Sequence, residues 1–392
     1  MISIESILGL PFYEITDIQS LGGEIQIRAR YTGPSECPAC QSQCLRNKGP
    51  IVRSVRHISW SANRVRLEVN GHRWQCRACR RQFRERFPGI LKWQRATEAF
   101  RFKVFQDHWD GISRSRVGQR ESISSATVER HFQHFLVRLV AERAGAPCPQ
   151  VLGIDEHFFS RKKGYATTLC DLKNHKIYDV VLGRSEASLE AYFHQLEGKH
   201  LVRVVCMDLA SNYRSLVRKH FPHAMIVTDR FHVIRLVNHH FLAVWRQLDP
   251  IGIRNRGLLS LMRRHSVHLD PDQRTRLAGY LAHHPALAVI YQFKQRLCYL
   301  LLHKSQNQKQ CRKLTPRLLR AVYQLRACDF ESLRTLGQTL SSWIEEIARM
   351  WRFTRNNGIT EGFHTKMEVL QRQAYGFRNF NNYRLRVKVL CS

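Results

Sequence analysis

The stretch Val151-Leu152-Gly153-Ile154-Asp155-Glu156 is an apolar run that ends on two carboxylates. A short apolar run of this kind is typical of a buried β-strand. Four further apolar runs follow it, interrupted by amphipathic segments. The predicted elements are two antiparallel strands at 165–172 and 176–182, a helix at 185–196, a strand at 201–207, a helix at 211–220 and a strand at 224–228.

The order of these elements, β-β-β-α-β-α-β, predicts an α/β fold with a ribonuclease-H-like core. In that arrangement the first and fourth strands lie side by side. Asp155 lies at the end of the first predicted strand, and Asp208 follows the fourth. We therefore expect the two carboxylates to meet at one end of the sheet.

A long segment rich in Leu, Arg and His, about residues 231–353, follows the fifth strand. It has no fixed repeat period, so a solenoid is not indicated. We interpret it as the helix after the fifth strand together with an inserted helical subdomain. A final helix is then predicted from about Thr360, with Glu361 in its first turn.

The chain is strongly basic. It carries 63 Lys and Arg against 31 Asp and Glu, which gives a formal net charge of +32. Its hydrophobic content of 43%, with 20 Phe and 7 Trp, is ample for packed cores and excludes a disordered basic tail. Basic residues occur along the whole length of the chain. This distribution favours a protein that contacts nucleic acid over an extended surface, rather than a ribosomal protein or a protein of the membrane surface.

The sequence carries no sign of export or membrane insertion. Its first residues contain Glu5 and Glu14 and no early Lys or Arg, unlike a secretory signal. No uncharged apolar run approaches the roughly 18–20 residues that a membrane span needs. We expect a cytoplasmic protein whose twelve Cys are reduced, so that paired Cys indicate metal rather than a disulfide.

Two C-x-x-C knuckles near the front of the chain predict a structural zinc site. They are formed by Cys37 with Cys40 and by Cys76 with Cys79. Each knuckle turns two thiolates towards one ion, and two knuckles complete a tetrahedral four-sulfur site with no open position for catalysis. A redox dithiol or incidental thiols are the alternatives.

The segment between the two knuckles is longer than that of a usual zinc ribbon. An alternating run at 65–69 and a second run at 72–76 flank Asn70-Gly71, a pair typical of hairpin turns. The insert is therefore predicted to be β-rich, with a hairpin at Asn70-Gly71. Cys44 and His57 are possible substitute ligands, although we interpret each as a bystander.

From about Ala96 to Ala144 the apolar spacing becomes helical. Gly111 and Ser113 break the first helix, and a short second element leads to a Ser-rich turn. This succession predicts a helix-turn-helix whose helix at about 125–140 suits a DNA major groove. A plain helical linker is the alternative.

These motifs occur in a fixed order with several others. The ordered set is the two knuckles, Gly-Ile-Asp155-Glu, Met-Asp208 with Ser-Asn-Tyr213, Asp229-Arg-Phe-His232-Val, Asn357-Gly-Ile-Thr-Glu361-Gly and Tyr375-Gly-Phe-Arg-Asn-Phe380. Over nearly the whole chain the set resembles the bacterial insertion-sequence transposases of the ISL group, which are DDE enzymes with an N-terminal zinc-binding domain. That family implies a helix-turn-helix after the zinc domain, and a ribonuclease-H-like core interrupted before its Glu.

The resemblance implies five segments. They are an N-terminal zinc-binding module at 1–92, a helix-turn-helix domain at 93–148, the first part of the catalytic core at 149–248, a helical insertion at 249–350, and the last part of the core at 351–392.

By the same resemblance, Asp155, Asp208 and Glu361 form the catalytic triad and bind Mg²⁺ or Mn²⁺. Hard carboxylate oxygens suit these ions, and two such ions suit phosphodiester hydrolysis. For any one carboxylate taken alone, a salt bridge with Arg is the alternative. The chain departs from the family at His364, where Asn is usual, and at Met367-Glu368, where Ile-Lys is usual.

The predicted function is DNA transposition. The chain is expected to bind the terminal inverted repeats of its insertion sequence, to cleave DNA with the help of a divalent metal, and to join the ends to target DNA. The expected partner is double-stranded DNA, and no membrane is involved. The resemblance implies a nucleoid-associated homodimer or higher oligomer. The expected role of Zn²⁺ is structural. The alternatives are a domesticated DNA-binding regulator without catalysis and a structure-selective nuclease.

Five polar residues near the triad are further candidates. Glu156 follows Asp155 on its strand and should point to the opposite face. Asp229 is either a fourth carboxylate or the cap of the next helix. His232 is interpreted as a hydrogen-bonded structural histidine or as a DNA contact, and Asn357 and Arg372 are weaker candidates for DNA contact.

Overall fold

The computed structural model describes residues 9–61, 63–143, 147–353, 358–374 and 376–391. The chain divides into two units, Met1–Glu142 and Arg143–Ser392. The predicted zinc module and the helices that follow it fall in the first unit. The predicted catalytic core and its helical insertion fall in the second.

The first unit is built on a five-stranded sheet. Its strands are β1 (Tyr13–Leu21), β2 (Glu24–Tyr31), β3 (Leu45–Trp60), β4 (Asn63–Cys76) and β5 (Gln82–Arg84). The order is β1-β2-β4-β3, and β5 pairs with β4; β2 and β4 run parallel, whereas the other pairs are antiparallel. Ile27, Leu67 and Val69 alternate with exposed or partly exposed neighbours and are fully buried on one face. The prediction of a β-rich insert between the knuckles is confirmed.

The predicted hairpin at Asn70-Gly71 is wrong, because β4 runs through both residues without a turn and pairs them with β3. A Cβ at Gly71 would lie 2.5 Å from a carboxylate oxygen of Glu85 and 2.7 Å from the ring of Phe87. Glycine is therefore needed here for close packing rather than for a turn. The connection between the two long strands begins instead at Ser61, whose φ is +53°.

Within the described residues of the first unit, three helices follow the sheet: α1 (Glu98–Trp109), α2 (Arg114–Glu121) and α3 (Ser125–Arg143). Thr97 and Ser113 cap the first two helices through their side-chain oxygens. The N–H of Thr127 donates to the hydroxyl of Ser124, which caps the third helix. Apolar residues of all three helices share one cluster, which contains Phe100, Val104, Val117 and Val128.

The second unit contains a five-stranded mixed sheet. Its strands are β6 (Val151–Ser160), β7 (Gly164–Asp171), β8 (Lys176–Leu182), β9 (Val204–Met207) and β10 (Met225–Thr228). Their order is β10-β9-β6-β7-β8, with β6, β9 and β10 parallel and β7 antiparallel to both of its neighbours. The prediction that the first and fourth core strands lie side by side is confirmed.

The described helices of the second unit are α4 (Glu186–Gln195), α5 (Ser211–His220), α6 (Arg230–Leu248), α7 (Arg256–Arg263), α8 (Pro271–Ala282), α9 (Pro285–Leu302), α10 (Gln308–Arg326), α11 (Glu331–Ser342), α12 (Ile344–Arg349), α13 (Gly358–Gln373) and α14 (Phe380–Leu390). Helices cover both faces of the sheet, whereas α7 and α8 pack with α6 and α9 in a separate cluster. One face, with Ile154 and Met207, packs against α4–α6 and α9–α12. The other face, with Cys170 and Cys206, packs against α13 and α14.

The predicted helical segment is confirmed by helices α6 to α12. The buried guanidinium of Arg230, at the start of α6, donates to the carbonyl oxygens of Leu301, His303 and Met350. These bonds join the end of α9 and the residue that follows α12 to the start of α6, just after β10. Across the described ranges, no helix has both the length and the apolar character needed to cross a membrane.

Candidate catalytic and metal sites

Asp155 and Asp208 come together at the point where the parallel pairing of β6 with β9 ends. Asp208 directly follows β9, but the prediction that the first core strand ends at Asp155 is wrong, because β6 runs on to Ser160 and pairs with β7 there. Ile154 pairs with Met207 in the β6–β9 register, and each of these residues directly precedes one of the two acids. One oxygen of each carboxylate and one ring nitrogen of His232 all lie within 4.8 Å of one another. The strand pairing therefore brings together two of the three predicted triad residues, and it adds a histidine to them.

Asp155 is buried, with 5% of its surface exposed. Burial and, after it, the negative charge of Asp208 together raise the pKa of its carboxyl group to about 7. The backbone N–H of Glu156 donates to Asp155 Oδ1 at 2.8 Å and fixes the carboxylate in place. An ionised Asp155 thus needs a nearby positive charge.

The two oxygens of Asp208 have different surroundings. Oδ2 lies 2.5 Å from Nδ1 of His232, whereas Oδ1 is buried and has no hydrogen-bond partner among the described residues. Burial lowers the pKa of His232, but the hydrogen bond to Asp208 and the neighbouring acids outweigh burial and raise it. A buried acceptor without a donor, beside a second carboxylate, fits the ligand set of a hard divalent cation.

Asp229 was predicted to be either a helix cap or a fourth carboxylate of the site, and the structure supports part of each prediction. Its side chain accepts the backbone N–H of Phe231 and caps α6, so the cap prediction is confirmed. Its other oxygen lies 3.8 Å from Nε2 of His232, so it also borders the acidic group. Glu156 instead pairs with Arg184 at 3.3 Å, as expected for a side chain on the opposite face.

Glu361 lies in the first turn of α13, as predicted, and its side chain is exposed. Its carboxylate is not within the group of ligand atoms formed by Asp155, Asp208 and His232. One helical turn later, Nδ1 of His364 lies 4.0 Å from Oδ2 of Asp155, so the same helix borders the site. Asn357 lies outside the described residues.

A buried chain of hydrogen bonds connects α13 and α14 to β6 behind the acids. Thr168 bonds through its hydroxyl to His364 Nε2 at 3.2 Å and to His157 Nδ1 at 2.9 Å. The other nitrogen of His157 bonds to the hydroxyl of Tyr383 at 2.8 Å. Burial lowers the pKa of His364 to about 4 and that of His157 to about 3, so both rings are neutral.

His157 and Tyr383 were not predicted from the sequence, because their partners come together only in the folded chain. His232 carried a usable signal, since it lies three residues after the strand-end residue Asp229. In a helix that begins there, this spacing returns the side chain to the same end of the sheet. Arg372, the remaining candidate, is exposed and pairs with Glu368 at 3.3 Å.

The four predicted zinc ligands form one cluster in the first unit. The Sγ atoms of Cys37 and Cys79 lie 3.5 Å apart, as do those of Cys40 and Cys76. All four sulfurs lie within 4.8 Å of one another, and tetrahedral Zn–S bonds of about 2.3 Å place sulfurs about 3.8 Å apart. The cluster therefore fits one tetrahedral Zn²⁺.

The backbone of each knuckle favours the thiolate form. Hydrogen bonds from the backbone N–H of Ala39 lower the pKa of Cys37 to about 6, and those from Cys79 lower the pKa of Cys76. A backbone bond from Ser42 also lowers the pKa of Cys40, but the neighbouring cluster thiols outweigh it and raise that pKa to about 12. Thiolates are the form that binds zinc.

Neither bystander joins the zinc cluster. Cys44 is exposed and is not one of the four clustered thiols. His57 is buried, and its Nδ1 bonds to the hydroxyl of Thr97 at 3.0 Å, at the start of α1. The interpretation of both residues as bystanders is confirmed.

Comparisons with known proteins match two parts of the chain to transposases. Residues 33–79 match the zinc-finger of transposase IS204/IS1001/IS1096/IS1165, a range that includes all four clustered cysteines. Residues 152–387 match the DDE transposase family of the ISL3 group, a range that includes Asp155 and Asp208. Over 377 residues the chain is 24% identical to the transposase for insertion sequence element IS1001 of Bordetella parapertussis, and the alignment covers 90% of this chain and 87% of that protein. The family match spans more than half of the chain, and the chain therefore belongs to the ISL3 family of DDE transposases.

Proposed function

We propose that this chain is a Mg²⁺-dependent DNA transposase that binds the terminal inverted repeats of its element, cleaves there and joins the ends to target DNA. The observation that carries the proposal is that Asp155 and Asp208 lie side by side where the parallel pairing of β6 and β9 ends, with ligand atoms within 4.8 Å. Asp155 is buried and Asp208 is partly buried, and two neighbouring carboxylates repel each other unless a cation neutralises them.

The core is proposed to have the ribonuclease-H-like fold. The support is the mixed sheet order β10-β9-β6-β7-β8, with three parallel strands next to an antiparallel hairpin. In such a sheet β6 and β9 run in the same direction, and Asp155 and Asp208 follow the last residues of their parallel pairing. The two side chains can therefore act on one phosphate.

Asp155, Asp208 and Glu361 would hold the divalent ions. When bound, Mg²⁺ or Mn²⁺ supplies charge neutralisation at the phosphate and lowers the pKa of an attacking water. His232 orients the Asp208 carboxylate through their 2.5 Å contact, and the N–H of Glu156 orients Asp155. Because Asp155 is buried against the sheet, water is excluded from that side of its carboxylate.

DNA binding is assigned to the first unit. Helices α2 and α3 are joined by the short turn 122–124, in which Ser122 has a left-handed backbone, and a turn of this length is typical of a helix-turn-helix. We assign α3 to the DNA major groove and the zinc-bound knuckles to a structural role. A dimer or higher assembly is proposed because a transposase must act on two element ends.

A strand-transfer assay tests the proposal. Labelled DNA with the inverted repeats that flank the reading frame is mixed with wild-type protein, Asp155→Asn or Glu361→Gln in Mg²⁺. We expect each variant to lose about a thousand-fold or more in cleavage rate, because several kcal/mol of metal stabilisation is lost. DNA affinity should stay within about two-fold. Glu156→Gln is the matched control, since it removes an acid on the other face.

Three outcomes separate the alternatives. Wild-type protein that binds the repeats but neither cleaves nor joins them would favour the regulator. Cleavage that does not depend on the repeat sequence would favour the nuclease. Wild-type rates in both triad variants would contradict the metal site itself.

A further inference from the structure

Helix α10 of the helical segment carries a row of cations on the side that faces away from the core. Its buried side belongs to the same core cluster as Ile154 of β6 and consists of Leu314, Leu318, Val322 and Leu325. The helical repeat places exposed cations on the opposite side, namely Lys309, Arg312, Lys313 and Arg320. These four residues define the α10 face.

The α10 face has no acidic partner. The helix contains no Asp or Glu, and within the described residues none of the four cations forms an ion pair. The nearest acids along the chain, Asp329 and Glu331, come after the end of the helix and are exposed. Lys309 lies one turn from both Arg312 and Lys313, and like charges at this spacing destabilise a helix. A bound polyanion would relieve this repulsion.

The α10 face begins close to the candidate catalytic acids. Arg230 donates to the carbonyl oxygen of His303 at 3.0 Å. Asp229, next to Arg230 in the chain, borders the acids through His232. Helix α10 begins five residues after His303, a stretch of at most about 18 Å, and its four cations then follow the helix for about 16 Å. One DNA segment can therefore contact both the acids and this face.

The chemistry of the α10 face favours the phosphate backbone of double-stranded DNA. A membrane surface would need a free apolar side, and that of α10 is buried in the core. Protein–protein interfaces are depleted in charged residues at their centre, whereas this face consists of four cations. Tyr323, which is 72% exposed on the same side, adds a hydroxyl that can donate to a phosphate.

We propose that the α10 face binds the phosphate backbone of double-stranded DNA next to the catalytic acids, without reading its sequence. The proposal rests on the function proposed above and adds a contact in the second unit to the helix-turn-helix assigned in the first. Phosphate contacts carry no sequence information. The face therefore raises the affinity for any duplex, whether element end or target, and leaves the preference for the repeats to α3.

Replacement of the four cations by glutamine tests the proposal, because Gln keeps the helix propensity and removes the charge. The variant carries Lys309→Gln, Arg312→Gln, Lys313→Gln and Arg320→Gln. Binding of the full-length protein to a terminal-repeat duplex and to a random-sequence duplex of equal length is measured over a range of salt concentrations, without divalent metal so that no cleavage occurs.

Each phosphate contact contributes about 0.9 to the slope of log affinity against log salt. The slope should therefore fall by about 3 to 4 on both duplexes, and affinity at about 0.1 M salt should fall by at least about 100-fold. The ratio of the two affinities should stay within about three-fold of the wild-type ratio.

Two controls separate this face from general charge and from misfolding. One control removes the same charge from exposed positions around α7 and α8, with Arg254→Gln, Arg256→Gln, Arg274→Gln and Arg276→Gln. It should lower the slope by less than about 1. The other control keeps the charge of the α10 face and should keep the wild-type slope; it carries Lys309→Arg, Arg312→Lys, Lys313→Arg and Arg320→Lys.

The proposal is overturned if the glutamine variant of α10 keeps the wild-type slope, which would leave the face to an acidic protein partner. It is also overturned if either control loses as much slope as that variant. A loss confined to the terminal-repeat duplex would contradict it too, because α10 would then read sequence. None of these outcomes depends on cleavage, and the proposed function is judged separately, by whether the wild-type protein cleaves the terminal-repeat duplex in Mg²⁺.

Discussion

Substitution of Asp155 by Asn should stabilise the metal-free protein. Asp155 is buried beside Asp208, and its raised pKa of about 7 means that the folded state holds a proton that the unfolded state releases near pH 3.8. A carboxyl group with a raised pKa stabilises the fold only at low pH, and that stability is lost as pH rises towards the folded pKa. Asn keeps the shape and removes the charge.

The size of the effect follows from the pKa difference. Each pKa unit corresponds to about 1.4 kcal/mol, so ionisation of Asp155 lowers the free energy of unfolding by about 4 kcal/mol at pH 8. At pH 5.5 the loss is about 2 kcal/mol. The stability gap between Asp155→Asn and wild type should therefore widen by about 2 kcal/mol between these two pH values.

Denaturant unfolding at pH 5.5 and pH 8 measures the gap. The protein is prepared without Mg²⁺ and without chelators, because a chelator would also remove structural zinc. Addition of Mg²⁺ to about 100 times its dissociation constant should stabilise wild type by about 2.7 kcal/mol and leave Asp155→Asn unchanged. Glu156→Gln is the control and should change stability by less than about 1 kcal/mol at either pH.

Two results would refute this reasoning. One is an Asp155→Asn protein that is less stable than wild type at pH 8 in the absence of Mg²⁺. The other is a stability gap that does not change with pH. Either would mean that Asp155 does not lie buried beside a second carboxylate.

Three other substitutions test the packing that supports the two sites. Cys76→Ser should lose bound zinc and, with it, folding free energy on the order of 10 kcal/mol, measured by zinc content and circular dichroism; retained zinc would contradict the four-sulfur site. Gly71→Ala should destabilise the first unit by about 1–3 kcal/mol in denaturant unfolding, because its Cβ would collide with Phe87; an unchanged midpoint would argue against close packing. Asp179→Asn should lower the unfolding free energy by about 3–5 kcal/mol, because it leaves Arg384 of α14, 2.6 Å away, without its buried partner; the conservative Asp179→Glu is its control.

The apolar runs that form the core strands could be identified in the sequence. Their order also predicted that Asp155 and Asp208 lie close together. The end of β9 follows from local pattern, and its parallel pairing with β6 then places Asp208 beside Asp155. The end of β6 could not be predicted in this way, because its pairing with β7 extends the strand to Ser160. Glu361 is different, because its distance from the other acids depends on how α13 docks on the sheet. The sequence predicts its helical turn but not its approach to Asp155 and Asp208.

Local signals failed where tertiary packing decided the outcome. Asn70-Gly71 has the composition of a turn, yet the glycine serves the close approach of Glu85 and Phe87 across the sheet. The hydrogen-bonded chain through His157 and Tyr383 joins residues 226 positions apart, and no spacing rule predicts it. Such contacts arise from the fold rather than from any one segment.

Anomalous diffraction from crystals of the full-length protein with Mn²⁺ and element-end DNA tests the central claim most directly. The account predicts a manganese peak within about 2.0–2.3 Å of oxygens of both Asp155 and Asp208, with the Glu361 carboxylate joining the coordination sphere. Manganese bound elsewhere in the second unit, with these acids unligated, would contradict it.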